Sequence, residues 1–109
     1  MTVNMALARI APGLRKIYGA LIDSVILYGS AARGTQTEES DVDIAILLHS
    51  GATKEMREQM LDFIVDLELA CGKVLSVLFI DYEKFVVWKD TLPFYQNIQR
   101  DGVVLWQAA

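Results

Sequence analysis

The chain has 109 residues, of which 53% are hydrophobic and 22% charged, and its formal net charge is −4. This length predicts a single domain, residues 1–109, and this composition excludes a largely disordered chain. The acidic balance argues against direct nucleic acid binding, which needs a basic face. No apolar run reaches the roughly 18 residues of a membrane span, and Cys71 is the only cysteine. We therefore expect a cytoplasmic domain that takes a basic protein partner, or a nucleotide brought in with its own metal ion.

The first half of the chain alternates helical and strand patterns. Apolar residues recur at helical spacing through the first twenty residues, which predicts an amphipathic helix that either begins at Pro12 or is kinked there. Residues 24–28 (SVILY) form a short apolar run that ends at Gly29, as a buried strand does. Residues 29–40 predict a short helical turn followed by a loop, and residues 41–48 predict the second strand.

The second half continues this alternation. Thr53 opens a predicted helix with apolar residues at spacings of three and four, and Gly72 stands where a left-handed C-cap would end it. Residues 74–80 (VLSVLFI) predict a third strand, apolar enough to lie in the centre of a sheet. Residues 92–100 predict the last helix and residues 103–106 a final short strand. The order of elements predicts an α/β (α+β) fold, a small mixed β-sheet with helices packed on it.

Two aspartates, Asp41 and Asp43, stand at the start of the second predicted strand. Side chains alternate along a strand, so these carboxylates point to the same side, with their backbones about 6 to 7 Å apart. Two carboxylates in one space repel each other unless a cation lies between them. Mg²⁺ prefers oxygen ligands and keeps room for phosphate oxygens. The start of this strand therefore predicts a magnesium site.

Gly29 and Ser30 supply the complementary element, with ten residues between Ser30 and Asp41. A strand that ends in Gly-Ser before a helical turn leaves backbone N–H groups and a hydroxyl available to a phosphate. A loop that holds a triphosphate, facing a strand that holds a metal ion, is the arrangement that nucleotidyl transfer needs. Gly-Ser is common and Asp-x-Asp is often a solvated turn, so it is the two together at this spacing that indicate a function.

The stretch GSAARGTQTEESDVDI, residues 29–44, resembles the signature of the nucleotidyltransferase superfamily that includes DNA polymerase β and the kanamycin nucleotidyltransferases. The small size resembles the minimal nucleotidyltransferase (MNT) branch, and residues 93–106 (PFYQNIQRDGVVLW) are similar to the end of such proteins. The resemblance implies a polymerase β-like nucleotidyltransferase core. It also implies that the chain is an antitoxin whose partner is a HEPN-domain toxin.

Position by position, the resemblance implies that Asp41 and Asp43 bind Mg²⁺ and that Gly29 and Ser30 hold the phosphates of ATP, the nucleotide donor. Arg33 is either a phosphate contact or a solvated surface charge. The implied reaction transfers AMP from ATP to a tyrosine of the toxin, with release of pyrophosphate.

The resemblance also implies a third carboxylate on a later strand, as a metal ligand and a base, and we align Ser76 with that position. A serine is neither a strong metal ligand nor a base near neutral pH. Asp81 is an alternative five residues on, but the odd offset places it on the opposite face of a regular strand. The preferred interpretation of Asp81 is a cap of the helix that begins near Glu83.

Three functional hypotheses remain open. The chain is an active enzyme with two aspartates, or an inactive relative that neutralises its HEPN partner by contact, or a transferase acting on a small molecule such as an aminoglycoside. The last ranks lowest, because such enzymes generally need an additional domain for the acceptor. A cluster of aromatic residues towards the C-terminus is expected to be core, and exposed rings there would mark a protein interface, including that of a homodimer or hetero-oligomer. These residues are Trp88, Phe94, Tyr95 and Trp106.

Overall fold

The computed structural model describes residues 1–34 and 40–109, so residues 35–39 of the predicted loop lie outside the described residues. Within the described part, five α-helices and four strands follow one another, with a short 3-10 turn before the first strand. Their bounds are α1 Val3–Tyr18, β1 Ile22–Tyr28, α2 Gly29–Arg33, β2 Val42–Leu48, α3 Lys54–Cys71, β3 Leu75–Asp81, α4 Tyr82–Trp88, α5 Pro93–Asp101 and β4 Val103–Gln107.

The four strands form one mixed sheet in the order β3-β2-β1-β4. β1 runs antiparallel to both β2 and β4, and β2 runs parallel to β3. The predicted mixed sheet with packed helices is therefore confirmed. The predicted central position of the third strand is wrong, because β3 lies at the edge of the sheet. Its apolar sequence reflects burial at its two ends, Leu75 and Ile80, whereas Leu78 between them is 38% exposed.

Hydrophobic side chains fill both faces of the sheet. On one face, α1 and α3 pack over β1 and β2, where Val42, Ile44 and Ile46 are fully buried. On the other face, α4 and α5 cover a smaller cluster that includes Ala45 and Leu47. Among the described residues, this cluster does not extend to the start of β2 and β3, where Asp43 is half-buried and Ser76 is exposed. The aspartates and Ser76 occur in this part of the sheet.

The helix ends follow from local side-chain caps. α1 begins at Val3, where Thr2 Oγ1 accepts a hydrogen bond from the backbone N–H three residues later at 3.1 Å. Of the two alternatives for Pro12, a helix start is therefore wrong, because this proline lies inside the helix. Thr53 caps α3 in the same way, and Gly72 ends it with a φ of 71°, as predicted.

The aromatic residues of the C-terminal part divide into two groups. Trp88 and Phe94 are 48% and 43% exposed, whereas Tyr95 and Trp106 are partly buried. The Arg15 guanidinium lies over the Trp106 ring, with its central carbon 4.7 Å from the centroid of that ring. The expected core packing therefore applies to Tyr95 and Trp106 but not to Trp88 and Phe94. Across the described residues, none of the helices has the combination of length and apolarity that crossing a membrane requires.

Candidate nucleotide and metal site

The end of β1 and the start of β2 meet at one end of the sheet. Antiparallel pairing places Tyr28, the last residue of β1, directly opposite Asp43. The chain then turns from Tyr28 into α2, so Gly29 is both the end of the strand and the first helical residue. The sheet therefore joins the Gly-Ser turn to the Asp-x-Asp segment, although ten residues separate Ser30 from Asp41.

Gly29 is required at this junction for two reasons. Its φ of 70° lies in the left-handed region, which residues with a Cβ adopt only at a cost. A Cβ built on Gly29 would also collide with the Asp43 carboxylate. The backbone of the turn and the Asp43 side chain are thus in direct proximity.

Ser30 lies in the first turn of α2 and is half-buried. The residue that precedes the helix, Tyr28, makes no side-chain hydrogen bond to that first turn. The backbone N–H groups at the start of a helix have no partner within it. A phosphate group is a suitable acceptor for them, and the Ser30 hydroxyl is an additional donor at the same place.

Asp41 and Asp43 stand on either side of the beginning of β2. Asp41 precedes the strand and is exposed, whereas Asp43 is its second residue and is half-buried. The adjoining end of β3 fixes this segment, since the Val42 N–H donates to the Val74 carbonyl at 3.0 Å. Lys73 Nζ donates to the Ser40 carbonyl at 3.4 Å. These two hydrogen bonds attach the segment that carries the aspartates to the residues before β3.

Ser76 is the direct partner of Asp43 in the parallel register of β2 and β3. Its side chain is exposed and lies on the same face of the sheet as that of Asp43. Asp81 instead pairs with Leu48 at the far end of these strands. The carboxylate of Asp81 accepts a hydrogen bond from the Lys84 N–H at 3.1 Å, which caps α4 as predicted. Asp81 is therefore not a substitute for a third carboxylate.

Arg33 is placed on the side of α2 that faces α5. It lines a hollow of about 220 Å³ together with Tyr28, Gly29, Phe94, Asn97, Ile98 and Asp101. The pKa of Asp101 is lowered, mainly by a hydrogen bond from Arg100 and to a smaller extent by the charges of Arg100 and Arg33. Arg33 thus lies next to the Gly29 turn and within the electrostatic reach of α5. Its contact with a phosphate stays a prediction.

Tyr28 is a residue of this site that the sequence analysis missed. Burial raises the pKa of its phenol, and the neighbouring negative charge of Asp43 raises it further. Its ring meets Phe94 edge to face, with the ring centroids 5.8 Å apart. The only signal in the sequence was its position immediately before Gly29. That position gives no indication of which strand lies opposite.

The donor atoms at this place fit a magnesium ion that arrives with a nucleotide. Within the described part of the chain, no three His, Cys, Asp or Glu side chains come together as a metal-binding group. Asp41 and Asp43 offer two carboxylates at the start of one strand. Mg²⁺ is commonly held by one or two carboxylates together with substrate phosphates and water. Asp41 and Asp43 therefore suit Mg²⁺-ATP better than a metal ion held by protein ligands alone.

Most of the chain matches a known protein family. The family model described as "Polymerase beta, Nucleotidyltransferase" matches residues 17–108. A protein of Methanocaldococcus jannaschii that carries the name protein adenylyltransferase is 30% identical over 106 residues. This alignment covers 97% of the present chain and 100% of that protein.

Solved structures share the same fold. A nucleotidyltransferase structure from Sulfolobus solfataricus is similar with a TM-score of 0.60 and 21% identity, over 94% of this chain and 78% of that one. A toxin-antitoxin structure with AMP-PNP gives a TM-score of 0.57 and 22% identity, over 93% and 73% of the two chains. A complex of a tri-AMPylated Shewanella oneidensis HEPN toxin with its MNT antitoxin gives 0.54 and 20%, over 96% and 72%.

Proposed function

Because the chain belongs to the polymerase beta nucleotidyltransferase family, we propose that it is an antitoxin that transfers AMP from Mg²⁺-ATP to a tyrosine of a HEPN-type toxin. The observation that carries this proposal is the direct approach of the Gly29 turn to the Asp43 carboxylate. This approach brings a place for phosphates next to a place for a metal ion. Both are needed at one point for nucleotidyl transfer.

Each residue has a definite role in this proposal. The backbone at Gly29 and the hydroxyl of Ser30 bind the phosphates of ATP, and Arg33 adds a positive charge beside the same turn. Asp41 and Asp43 hold Mg²⁺. When bound, this ion neutralises phosphate charge and orients the triphosphate. The side chains thus supply positioning and charge compensation, which account for most of the catalysis in this kind of reaction.

The proposed reaction exchanges one bond to phosphorus for another. The tyrosine oxygen of the acceptor forms a bond to the α-phosphorus of ATP, and the bond between the α-phosphorus and its bridging oxygen to the β-phosphate breaks. Pyrophosphate leaves, and the phenolic proton passes to water. Ser76, beside Asp43, cannot take this proton near neutral pH. We therefore expect a slow reaction unless the partner provides a base.

Two comparisons support the choice of acceptor. The M. jannaschii relative, which is matched over its whole length, is named a protein adenylyltransferase. The S. oneidensis structure contains an AMPylated HEPN toxin bound to an MNT antitoxin. The first supports a protein as the substrate, and the second supports a toxin as that protein.

A second function, neutralisation of the toxin by contact alone, is favoured by one specific observation. The position in register with Asp43 carries a serine rather than a carboxylate. Such a protein would keep the fold, the partner and the nucleotide site while the transfer step is lost. The two functions make opposite predictions about label transfer.

The test is incubation of the chain with ATP labelled at the α-phosphate, Mg²⁺ and a co-expressed partner. The proposal expects label on the second polypeptide with the wild type, no label with Asp43→Asn, and normal labelling with Asp81→Asn. The last variant removes a carboxylate outside the site. No label, with the partner still retained in a pull-down, would instead establish neutralisation by contact. If the partner is neither labelled nor retained in the pull-down, both functions are contradicted.

A further inference from the structure

The outer edge of β3 has the features of a binding edge. Among residues 1–34 and 40–109, β3 pairs with β2 on one side and no strand pairs with its other side. Exposed edges in natural proteins are usually protected by lysine, proline or a bulge. The sequence of β3, LSVLFID, contains neither residue, and its pairing with β2 is regular over seven residues. Its one charged residue, Asp81, is occupied in capping α4. At the start of the outer edge, the Leu75 N–H donates to the Glu68 carboxylate at 2.9 Å, so an added strand would pair with β3 beyond this N–H.

This edge lies immediately beside the candidate site. Ser76 is the direct partner of Asp43, and neighbouring strands lie about 4.8 Å apart. A strand added to the free side of β3 would therefore run about 10 Å from β2. Ser76 is small and exposed, and Leu78 on the same face is 38% exposed. A long side chain of the added strand can thus extend across Ser76 towards Asp43.

The opposite face of the same edge offers a place for an apolar side chain. A hollow of about 370 Å³ lies beside Phe79 and is lined by Tyr18, Leu48, Ala52, Thr53, Lys54 and Arg57 as well. Phe79 is three residues from Ser76. Because side chains alternate, these two positions face opposite sides of the sheet. If one side chain of an added strand lies beside Ser76, the side chain three positions away in that strand therefore faces the hollow beside Phe79.

We propose that the β3 edge binds an extended segment of the acceptor by strand addition, with its tyrosine opposite Ser76 and an apolar residue three positions away at the Phe79 hollow. In strand addition, backbone hydrogen bonds supply affinity and alternate side chains supply specificity. This inference rests on the proposed function, since it adds the acceptor to the same site. The tyrosine oxygen then forms its bond to the α-phosphorus, pyrophosphate leaves and the proton passes to water.

A second copy of the chain is the competing occupant of this edge. Its own β3 would lie beside Ser76, where the acceptor hydroxyl has to enter. Pairing between two copies would therefore close the edge next to both sites. An acceptor segment uses the edge and the site together, which is why we assign the edge to the acceptor.

The first part of the test uses peptides and ATP labelled at the α-phosphate. The probe is a peptide of about twelve residues with one tyrosine, leucine three residues before and after it, and threonine or valine elsewhere. We expect labelling of this peptide and at least about tenfold less when both leucines are serine, since one buried leucine contributes roughly that factor. N-methylation of the peptide backbone should abolish labelling. Equal labelling of all three peptides, or of none, would overturn the inference.

The second part uses variants of the protein. Leu78→Lys places a charge on the site-facing side of the edge, and Val104→Lys places one on β4 at the opposite edge, where Val104 is 53% exposed. We expect Leu78→Lys to lose peptide labelling while Mg²⁺-ATP still raises its melting temperature, and Val104→Lys to keep both. Unchanged labelling with Leu78→Lys would overturn the inference. The inference would also be overturned if light scattering showed that the wild type is a dimer and that Leu78→Lys is a monomer.

The same measurements separate this inference from the proposed function. If Mg²⁺-ATP raises the melting temperature of the wild type and the co-expressed toxin is labelled, the proposed function stands whatever the peptides show. If Mg²⁺-ATP has no effect on the wild type, the nucleotide site is absent. The proposed function and the inference are then both wrong.

Discussion

Asp43 on β2 and Ser76 on β3 are direct partners in the parallel register, where the Asp43 side chain is half-buried and the Ser76 side chain is exposed. A carboxylate at position 76 would lie one strand spacing, about 4.8 Å, from the Asp43 backbone. It could serve as a further metal ligand and as a base for the acceptor hydroxyl. The serine found there leaves the site with two carboxylates.

The first prediction concerns Ser76→Asp. We expect the rate of AMP transfer to rise by about tenfold to a thousandfold, since a positioned base contributes roughly 10² or more. The measurement is the initial rate of labelling at saturating Mg²⁺ and ATP. Ser76→Asn is the matched control of the same size without the charge, and it should not accelerate transfer. A slower Ser76→Asp variant with normal stability would show that the site works without a third carboxylate.

The second prediction concerns Gly29→Ala, with Gly34→Ala as its control. Both glycines have a positive φ, of 70° and 73°, so each alanine should cost about 1 to 2 kcal/mol of unfolding free energy. Only at Gly29 would the new Cβ collide with Asp43, because none of the described residues lies within 4 Å of a Cβ at Gly34.

Urea denaturation should therefore show a loss for Gly29→Ala that is at least as large as the loss for Gly34→Ala. The effect of Mg²⁺-ATP on the melting temperature should be lost for Gly29→Ala alone. If both variants respond to Mg²⁺-ATP like the wild type, the close approach of Gly29 to Asp43 has no part in nucleotide binding.

The third prediction concerns alkaline pH. Burial raises the pKa of Tyr18 and Tyr28 above the ordinary value of 10.0, and at Tyr28 the charge of Asp43 adds to this effect. The folded state then holds these phenolic protons more tightly than the unfolded chain does. The resulting stability is fully present below about pH 10 and is lost as the pH rises through the raised pKa values.

We therefore expect the free energy of unfolding to fall above pH 10, and to fall less in Tyr28→Phe. Asp43→Asn should lower the pKa of Tyr28 towards its ordinary value while leaving the contribution of burial. Phenolate absorbance, compared with Tyr28→Phe, measures this change. A Tyr28 pKa that is the same in Asp43→Asn and in the wild type would contradict the proximity of the two residues.

The fourth prediction concerns Asp81→Ala, which removes the cap of α4. Loss of a helix cap typically costs about 0.5 to 2 kcal/mol, and we expect a loss in this range by chemical denaturation. AMP transfer, measured well below the melting temperature, should stay at the wild-type rate, because Asp81 lies at the far end of the strand from Asp43. A large loss of transfer with normal stability would restore Asp81 as a candidate base.

Much of the fold could be predicted from the sequence because the signals are local. The strand at residues 24–28, the caps at Thr53 and Gly72 and the helix after Asp81 all agree with the structure. Periodicity, capping and turn residues act within a few positions of one another. The Gly-Ser and Asp-x-Asp elements are equally local, and for this reason the candidate site could be named from the sequence.

Only the tertiary structure decided how these elements meet. The edge position of β3, which the sequence analysis placed at the centre, depends on which strands pair. The contact of Gly29 with Asp43, the position of Tyr28 opposite Asp43 and the approach of Arg33 to Asp101 depend on register and helix packing. The sequence by itself identified the Gly-Ser and Asp-x-Asp groups of the candidate site, but not Tyr28. Their arrangement was decided by pairing between segments far apart in the chain, where a shift of one residue would turn every side chain to the other face.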